Sequence, residues 1–306
     1  MIPEFPRFKS LELDDREEIE TFVGAFPPYS DFNFVSLFCY DARNQFKIAF
    51  LNGNLVVKMI DYVTREPFYT FLGNSEVITT AQKLLRHAKD DGTLPVLKLV
   101  PECTVAAARL QLTEDTEARE DPDSFDYIYD AEQTGRCIGP HYSCRRYQCK
   151  RFERDYPDHR FVNIDLRDRR SCRDILQLLG LWQQQKRRSP EDVEVEFEAI
   201  EKCLRHGDEL QLHALGLVAH DVLIGFTIWE PLMDSFVMCH FAKANPSFEF
   251  ASDALKRQWG RAVVEQGAKF INYQQDLGIP GLRRHKQAWR PMRFLKKFTL
   301  KPRDAM

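Results

Sequence analysis

Apolar residues recur along the first 130 residues with the two periods of amphipathic helices and half-buried strands. The clearest signal is a β-hairpin over 46–61, where alternating apolar positions flank the turn residues Asn52 and Gly53. The segment 113–123 is acidic and contains proline, so it is expected to be a surface loop. The remaining patterns predict helices at 14–26, 75–92 and 104–112 and strands at 32–41, 68–73, 94–100 and 125–130.

The second half of the chain repeats this order of patterns. Two helical segments come first, and the second has Ser189 as its expected N-cap and Pro190 as its first residue. A hairpin then turns at His220 and Asp221. After it, strands are predicted at 235–244, 269–275 and 292–300, and helices at 250–267 and 282–288.

The order ββ–β–α–β–α–β in each half predicts an internal duplication and is typical of the GNAT acyltransferase fold. We therefore expect an α/β (α+β) protein of two tandem GNAT-like lobes. The expected boundaries are 1–130 for the first lobe and 131–306 for the second, which would carry the active site.

Charge is distributed unevenly between the two halves. Residues 1–135 hold 13 Lys and Arg against 24 Asp and Glu, a net charge of −11, whereas the remainder holds 30 against 22, a net charge of +8. The second half is therefore expected to meet an anionic partner. Charge alone does not distinguish among nucleic acid, lipid head groups and a nucleotide as that partner.

Composition favours a cytoplasmic globular protein that holds no metal. The 306 residues are 43% hydrophobic and 29% charged. They include no apolar run near the roughly 20 residues of a membrane helix and no signal-peptide core at the start. The eight cysteines lack the CxxC spacing of a zinc site, so we interpret them as structural thiols.

The segment 239–250, CHFAKANPSFEF, is informative because it contains no glycine. Acyl-CoA-dependent enzymes of this fold follow the third strand with a glycine-rich loop whose N–H groups hold the pyrophosphate. Here Asn245–Phe250 contains a proline and no glycine, which argues against coenzyme A and leaves no cofactor expected. His240 and Lys243 are the polar residues of an apolar strand; His240 is either a ligand-binding or a core histidine.

Basic residues cluster at helical spacing in 139–157, behind Gly139. The pattern indicates either a solvated basic face or an anion site at a helix start. The clustered residues are Arg145, Arg146, Lys150, Arg151 and Arg154.

The segment 272–291, NYQQDLGIPGLRRHKQAWRP, places one carboxylate before a glycine-bounded turn and a second basic cluster. Asp276, Arg283 and Lys286 are the catalytic candidates. Lys286 or Arg283 would stabilise an oxyanion or hold a phosphate, and Asp276 would orient the attacking group or bind a cationic amine. The alternative is a buried structural pair, in which Asp276 caps the turn and binds Arg283. The basic residues of 139–157 and of 272–291, Lys286 included, are expected to lie at the surface and to form one continuous positively charged patch.

These motifs resemble the phosphatidylglycerol lysyltransferase C-terminal-like family. The resemblance rests on YIYDAEQ with GPHYSCRRYQCKRF, on FINYQQDLGIPGLRRHKQAWRP and on the terminal FLKKFTL, and it covers most of the chain. The family consists of double-GNAT proteins, and its membrane-attached relatives move an aminoacyl group from tRNA to a lipid. The matching residues are Gly139, Tyr142, Arg145, Arg146, Phe152, Lys243, Asn272, Asp276, Leu277, Gly278, Gly281, Leu282, Arg283, Lys286 and Pro291.

The chain departs from the family pattern at several positions. Gln274 and Ala242 stand where the family has glutamate, Phe250 where it has glycine, and Pro140, His141 and Cys144 where it has lysine. Asp276 is thereby left as the main acidic candidate.

The resemblance implies transfer of an aminoacyl group from aminoacyl-tRNA to an amine or hydroxyl acceptor, either a lipid or a small molecule, with peripheral contact to anionic lipid. Two alternatives stay open: N-acyl transfer from acyl-CoA, and a non-catalytic module that binds an anionic ligand. The expected substrate-binding residues are Tyr142, Arg145, Arg146, His240, Lys243, Asn272 and Gln274.

Overall fold

The chain folds into two compact units, each with its own β-sheet. The computed structural model describes residues 1–41, 43–108, 115–186 and 190–303. Unit 1 comprises Met1–Asp126, Gln275–Arg283 and Phe294–Met306, and unit 2 comprises Tyr127–Gln274 and Arg284–Arg293. The domain boundary that the sequence predicts near residue 130 remains a prediction. It concerns whether residues 1–130 and 131–306 fold independently of each other.

The sheet of unit 1 has, within the described ranges, seven strands in the order β1-β2-β3-β4-β5-β14-β6. Neighbours are antiparallel except β4 and β5, which are parallel. The last strand of the chain, β14, therefore fills the place between β5 and β6. The strands are β1 (Lys9–Ser10), β2 (Lys47–Leu51), β3 (Asn54–Ile60), β4 (Pro67–Leu72), β5 (Leu97–Pro101), β6 (Thr116–Glu120) and β14 (Lys297–Pro302).

Helix α2 (Phe34–Tyr40) overturns the prediction of a strand at 32–41. Asn33 caps this helix because its side chain accepts a hydrogen bond from Ser36 N, and six consecutive helical residues are buried. A short helix that is buried on all sides has no amphipathic period, so its apolar run looks like that of a buried strand. The other helices of unit 1 are α1 (Arg16–Val23), α3 (Val77–Asp90) and α4 (Glu102–Ala107).

The sheet of unit 2 also has seven strands among the residues that the structure describes, in the order β13-β7-β12-β11-β10-β9-β8. β11 and β12 are parallel, as the connection between them through a helix requires, and β12 pairs antiparallel with β7. The strands are β7 (Asp126–Asp130), β8 (Arg160–Asn163), β9 (His213–Ala219), β10 (Val222–Pro231), β11 (Phe236–Ala244), β12 (Phe270–Asn272) and β13 (Arg293–Leu295).

Helix α9 (Ala251–Glu265) connects β11 to β12 and crosses helix α5 (Ala131–Arg136) very closely. A Cβ atom on Gly135 would lie 2.8 Å from Arg261 N, and one on Gly260 would lie 2.7 Å from Gly135 N. Only glycine allows the two backbones to approach to this distance. The other helices are α6 (Ser143–Asp155), α7 (Arg169–Lys186), α8 (Pro190–Arg205) and α10 (Pro280–Ala288), whose residues belong to unit 1 up to Arg283.

Three further predictions differ from the structure or lie outside it. The segment 113–123 is not wholly a loop, because β6 lies within it and pairs with β14. The run 292–300 is not one strand, because β13 and β14 belong to different sheets. The expected N-cap Ser189 lies outside the described residues.

The fold class is nevertheless the predicted one, α/β with two mixed sheets. In the described part of the chain, no helix is both long and apolar enough to cross a membrane.

Candidate functional site

The turn before α10 is built around the buried carboxylate of Asp276, in unit 1. Asp276 has 0% of its surface exposed; it accepts a hydrogen bond of 2.8 Å from Gly278 N and two of 2.8 Å from the Arg283 guanidinium. Arg283 also pairs with Asp123, and these two carboxylates raise the pKa of Arg283. Gly278 is required here, because its φ is +68° and an added Cβ would lie 2.7 Å from Asp123 Oδ2.

These contacts are those of the structural pair that sequence reasoning gave as the alternative role of Asp276. A bidentate arginine–carboxylate pair fixes geometry as well as charge. Asp276 and Arg283 therefore define the turn from which α10 starts, and a catalytic role for either remains a proposal.

Lys286 lies further along α10, in unit 2, and it corrects the expectation of an exposed basic residue. Its side chain is only 4% exposed, and its Nζ donates to the backbone oxygens of Tyr273, at 2.6 Å, and Gln274, at 3.0 Å. The ammonium also lies 5.2 Å from the ring centroid of Tyr273 and 5.5 Å from that of Tyr127. Backbone oxygens and aromatic faces both stabilise a positive charge, so Lys286 is held as a fixed ammonium.

A second buried lysine of unit 2, Lys256 on α9, was not predicted. Its Nζ lies 3.8 Å from the ring centroid of Tyr129, 3.9 Å from that of Tyr273 and 5.1 Å from that of Trp289. We call these three rings the aromatic box. A signal was present in the sequence, since Lys256 precedes the buried residues Trp259, Gly260 and Val263 at helical spacings of three, four and seven.

Tyr142, which directly precedes α6, and Arg145 and Arg146 on α6 hold parts of unit 2 together. The Tyr142 hydroxyl donates to the Trp289 backbone oxygen at 3.1 Å. Arg145 Nη1 lies 2.6 Å from Asp253 Oδ1, an oxygen that also accepts from Trp289 Nε1 at 3.1 Å. Arg146 donates to the backbone oxygens of Cys137 and Gly139. Tyr142 and Arg145 therefore both reach Trp289 of the aromatic box, Arg145 through Asp253.

The polar residues at the ends of β11 and β12 are paired with each other or with the backbone. His240 Nε2 lies 3.0 Å from Glu230 Oε1, and both side chains are buried. Asn272 Oδ1 accepts from Gln274 N, and Gln274 Nε2 donates to the Cys239 backbone oxygen at 2.8 Å. These contacts match the satisfied core histidine that sequence reasoning gave as the alternative for His240.

Lys243, near the end of β11, contacts the two helices α7 and α8. Its Nζ lies 2.7 Å from Glu196 Oε1 and 4.0 Å from the ring centroid of Trp182. A carboxylate and an aromatic face together form a site for an ammonium group, which Lys243 itself fills.

The segment between β11 and α9 offers little to a pyrophosphate. The N–H groups of Phe248, Ala251, Asp253 and Ala254 donate to backbone oxygens of the segment, and Ser247 N donates to Asn245 Oδ1. Glu249 and Asp253 stand at the same helix start and are paired with Arg151 and Arg145. Donors that are already engaged disfavour a phosphate.

The catalytic and binding candidates are thus divided between the units. Asp276 and Arg283 belong to unit 1, whereas Lys286 and the seven expected substrate-binding residues belong to unit 2. Within the described ranges, no group of three or more His, Cys, Asp or Glu is placed to hold a metal ion.

Comparison with solved structures shows the same fold elsewhere. A conserved protein of unknown function from Bacteroides thetaiotaomicron has a TM-score of 0.84 and 24% identity, with 99% of this chain and 100% of that chain covered. L-PGS from Bacillus licheniformis has a TM-score of 0.61 and 14% identity, over 100% and 95% of the two chains. The C-terminal domain of a protein from Agrobacterium fabrum, named for lysylphosphatidylglycerol synthetase, has a TM-score of 0.65 and 12% identity, over 95% and 92%.

These similarities support the fold, and the sequence itself supports the family. No curated protein matches the chain. The predicted fold class is confirmed, since each unit has its own mixed sheet and L-PGS shares the fold. The family described as "Phosphatidylglycerol lysyltransferase, C-terminal" matches residues 27–301, which is most of the chain. The protein is therefore a member of the phosphatidylglycerol lysyltransferase C-terminal family, whose fold is that of GNAT-like transferases.

Proposed function

We propose that the protein transfers an aminoacyl group from aminoacyl-tRNA to an amine or hydroxyl acceptor. The observation that carries this choice of donor is the segment before α9, which has a proline and no glycine and in which the N–H groups of Ser247, Phe248 and Ala251 are engaged. A coenzyme A pyrophosphate would find few free donors there. Family membership supports the reaction class, since the family is named for a lysyltransferase.

The chemistry requires less from the protein than acyl activation would. An aminoacyl ester is already activated, so transfer needs a positioned donor, a stabilised oxyanion and a group that manages the proton of the nucleophile. Lys286 is the proposed oxyanion stabiliser, because its buried ammonium is fixed by two backbone oxygens. Asp276 and Arg283 are proposed to position it by fixing the turn that starts α10.

The donor is tested first by a binding experiment. Calorimetry with coenzyme A should give no binding in the micromolar range, whereas aminoacyl-tRNA should bind. Micromolar binding of coenzyme A would favour the alternative of N-acyl transfer from acyl-CoA.

Turnover is tested next. The protein is incubated with a mixture of tRNAs charged with labelled amino acids and with phosphatidylglycerol vesicles, glycerol or small amines. Label that appears in an acceptor supports the proposal. Binding of tRNA without turnover in any arm would favour the non-catalytic module.

Phosphate binding is tested with exposed residues of unit 2. Arg146 and Lys286 are unsuitable for charge reversal because both are tied to backbone oxygens. Lys150 and Arg290 are exposed instead, so Lys150→Glu with Arg290→Glu should weaken tRNA binding and reduce its salt dependence by about one unit of slope for each lost phosphate contact. Lys83→Glu with Arg86→Glu, on α3 of unit 1, is the control with the same charge change. Equal effects of the two double variants would contradict a phosphate site at Lys150 and Arg290.

A further inference from the structure

The Lys256 amine is enclosed, and the hydrogen-bond partners that buried amines normally have are missing. The residue is 2% exposed, and its Nζ has no hydrogen-bond acceptor among the described residues. The rings of Tyr129, Tyr273 and Trp289 surround it. Buried ammonium groups are ordinarily paired, so this environment is exceptional.

The charged and titratable groups around the amine are mostly basic. Lys286 contacts the same Tyr273 ring as Lys256, and the Asp253 carboxylate is already bound by Arg145 and the Trp289 N–H. The groups that act on Lys256 come from four elements and are Asp253 on α9, Lys286 and His285 on α10, Arg145 on α6 and Cys239 on β11. Burial and the neighbouring Lys256 lower the pKa of His285 to about 4, and burial raises the pKa of the Cys239 thiol to about 12. Both are therefore neutral at pH 7.

Burial lowers the pKa of Lys256 well below its ordinary value, and the Lys286 ammonium lowers it further. The aromatic box opposes this effect, because ring faces attract an ammonium. The net direction is downward, so the Lys256 amine gives up its proton at a lower pH than an ordinary lysine does.

A structural role does not account for this lysine. A methionine would fill the same space among the three rings without the cost of desolvation. Residues that lower stability in this way are retained at functional sites, where shifted proton affinities serve chemistry.

We propose that Lys256 is the proton acceptor of the transfer reaction. This inference rests on the proposed function. The acceptor hydroxyl gives its proton to the Lys256 amine while its oxygen attacks the ester carbonyl carbon and forms a new C–O bond. The C–O bond to the tRNA ribose then breaks, and the ribose oxygen takes the proton from the Lys256 ammonium.

The enclosed position of the amine fits this proton cycle. Every proton taken up from a hydroxyl is returned to the leaving ribose, so Lys256 never has to exchange with bulk water. Tyr273 is the one residue of the aromatic box that is partly exposed, whereas Tyr129 and Trp289 are buried.

Lys256 is unsuited to act as a nucleophile. Attack of its amine on the aminoacyl ester would form an amide, which is far less reactive than the ester and could not pass the group on to a hydroxyl. A role in proton transfer is the productive use of this amine.

The first experiment measures the protonation of Lys256 directly. The full chain is labelled with lysine carrying ¹³C at the ε-carbon, and the signal that disappears in Lys256→Met identifies the residue. Its chemical shift should titrate at a pH well below the ordinary lysine value of 10.5. Titration at that ordinary value would overturn the proposal whether or not transfer is observed.

The second experiment measures transfer from labelled aminoacyl-tRNA to phosphatidylglycerol vesicles. Lys256→Met and Lys256→Arg should each lower kcat by about 100-fold or more with little change in KM, because neither side chain can accept a proton at neutral pH. The rise of the wild-type rate with pH should be absent from both variants, and Lys269→Met, at an exposed position of unit 2, should behave like wild type. A kcat within about threefold of wild type, or an unchanged pH profile, would overturn the role of Lys256 alone. Absence of transfer from wild type would overturn the proposed function and this inference together.

Discussion

Two lysines are buried to the same degree in the two units, but their surroundings differ. Lys297 of unit 1 has 0% of its surface exposed and binds the carboxylates of Asp31 and Asp126, with Ser30 and Gln275 beside them. Lys256 of unit 2 is 2% exposed and faces aromatic rings and other bases. Burial alone lowers the pKa of any lysine, yet the two carboxylates raise that of Lys297, whereas nothing compensates fully at Lys256.

The difference separates a structural charge from a functional one. The Asp126 carboxylate accepts hydrogen bonds from the Ser30 N–H and hydroxyl as well as from Lys297, so this cluster joins β14 to the segment around residue 30. A cluster in which each charge has partners specifies how strands pair. An amine without partners adds nothing of this kind, which is why we assign Lys256 to chemistry.

The largest expected effect on folding stability follows from removing β14 together with its residue Lys297. The fragment 1–130 corresponds to the first lobe predicted from the sequence, but it lacks the strand that lies between β5 and β6. It should fail to unfold cooperatively in urea, because the sheet is interrupted and Asp31 and Asp126 lose their cation. The control is the same fragment with residues 293–303 attached through a Gly/Ser linker, which should recover cooperativity. A cooperative transition of the unmodified fragment would establish 1–130 as an independent domain.

The second prediction isolates the Lys297 charge. Lys297→Met should lower the free energy of unfolding by about 3–5 kcal/mol, because two buried carboxylates are left unpaired. The neighbouring Lys296 pairs with Glu120 at the surface, so Lys296→Met should change the free energy of unfolding by about 1 kcal/mol or less. Urea denaturation measures both variants. If Lys297→Met lowers the free energy of unfolding by as little as Lys296→Met does, the buried ion pairs of Lys297 contribute no more to stability than a surface ion pair.

Sequence patterns predicted most of the elements, because long amphipathic segments such as α3 and α9 carry a clear period. They did not predict α2, whose residues are buried on every side, nor β6, whose acidic sequence TEARE forms a strand only because β14 pairs with it. Both failures arise where tertiary contacts override local preference.

The candidate site was predicted less completely than the fold. The motif of Asp276, Arg283 and Lys286 was visible because its residues are close in sequence, and the structural pairing of the first two was one of the two interpretations offered. The aromatic box could not be predicted, because Tyr129, Lys256, Tyr273 and Trp289 come from four separate segments. Spacing along a chain does not reveal such a convergence.

The smallest expected change in stability has the opposite sign and concerns Lys256. Lys256→Met should raise the free energy of unfolding at pH 7 by about 1–4 kcal/mol, since an apolar side chain of similar volume replaces a buried ionisable group. Lys150→Met, at an exposed position, is the control and should be close to neutral. Stabilisation by Lys256→Met together with loss of transfer would show that this residue lowers stability in the service of function.

The pH dependence gives this last prediction its sharper form. Because the folded-state pKa of Lys256 is lowered, the unfolded chain binds more protons than the folded one between that pKa and the ordinary value of 10.5. Wild-type stability should therefore rise with pH across this window, by at most about 1.4 kcal/mol per pH unit from this group, and fall as pH decreases toward the folded pKa. Lys256→Met lacks the contribution, so its advantage over wild type should shrink as the pH rises toward 10.5 in parallel urea titrations. A stability advantage that stays constant over this range would mean that Lys256 remains protonated in the folded protein, where the aromatic box holds it as an ammonium. Lys256 and Lys297 would then differ in their contact partners but not in their charge.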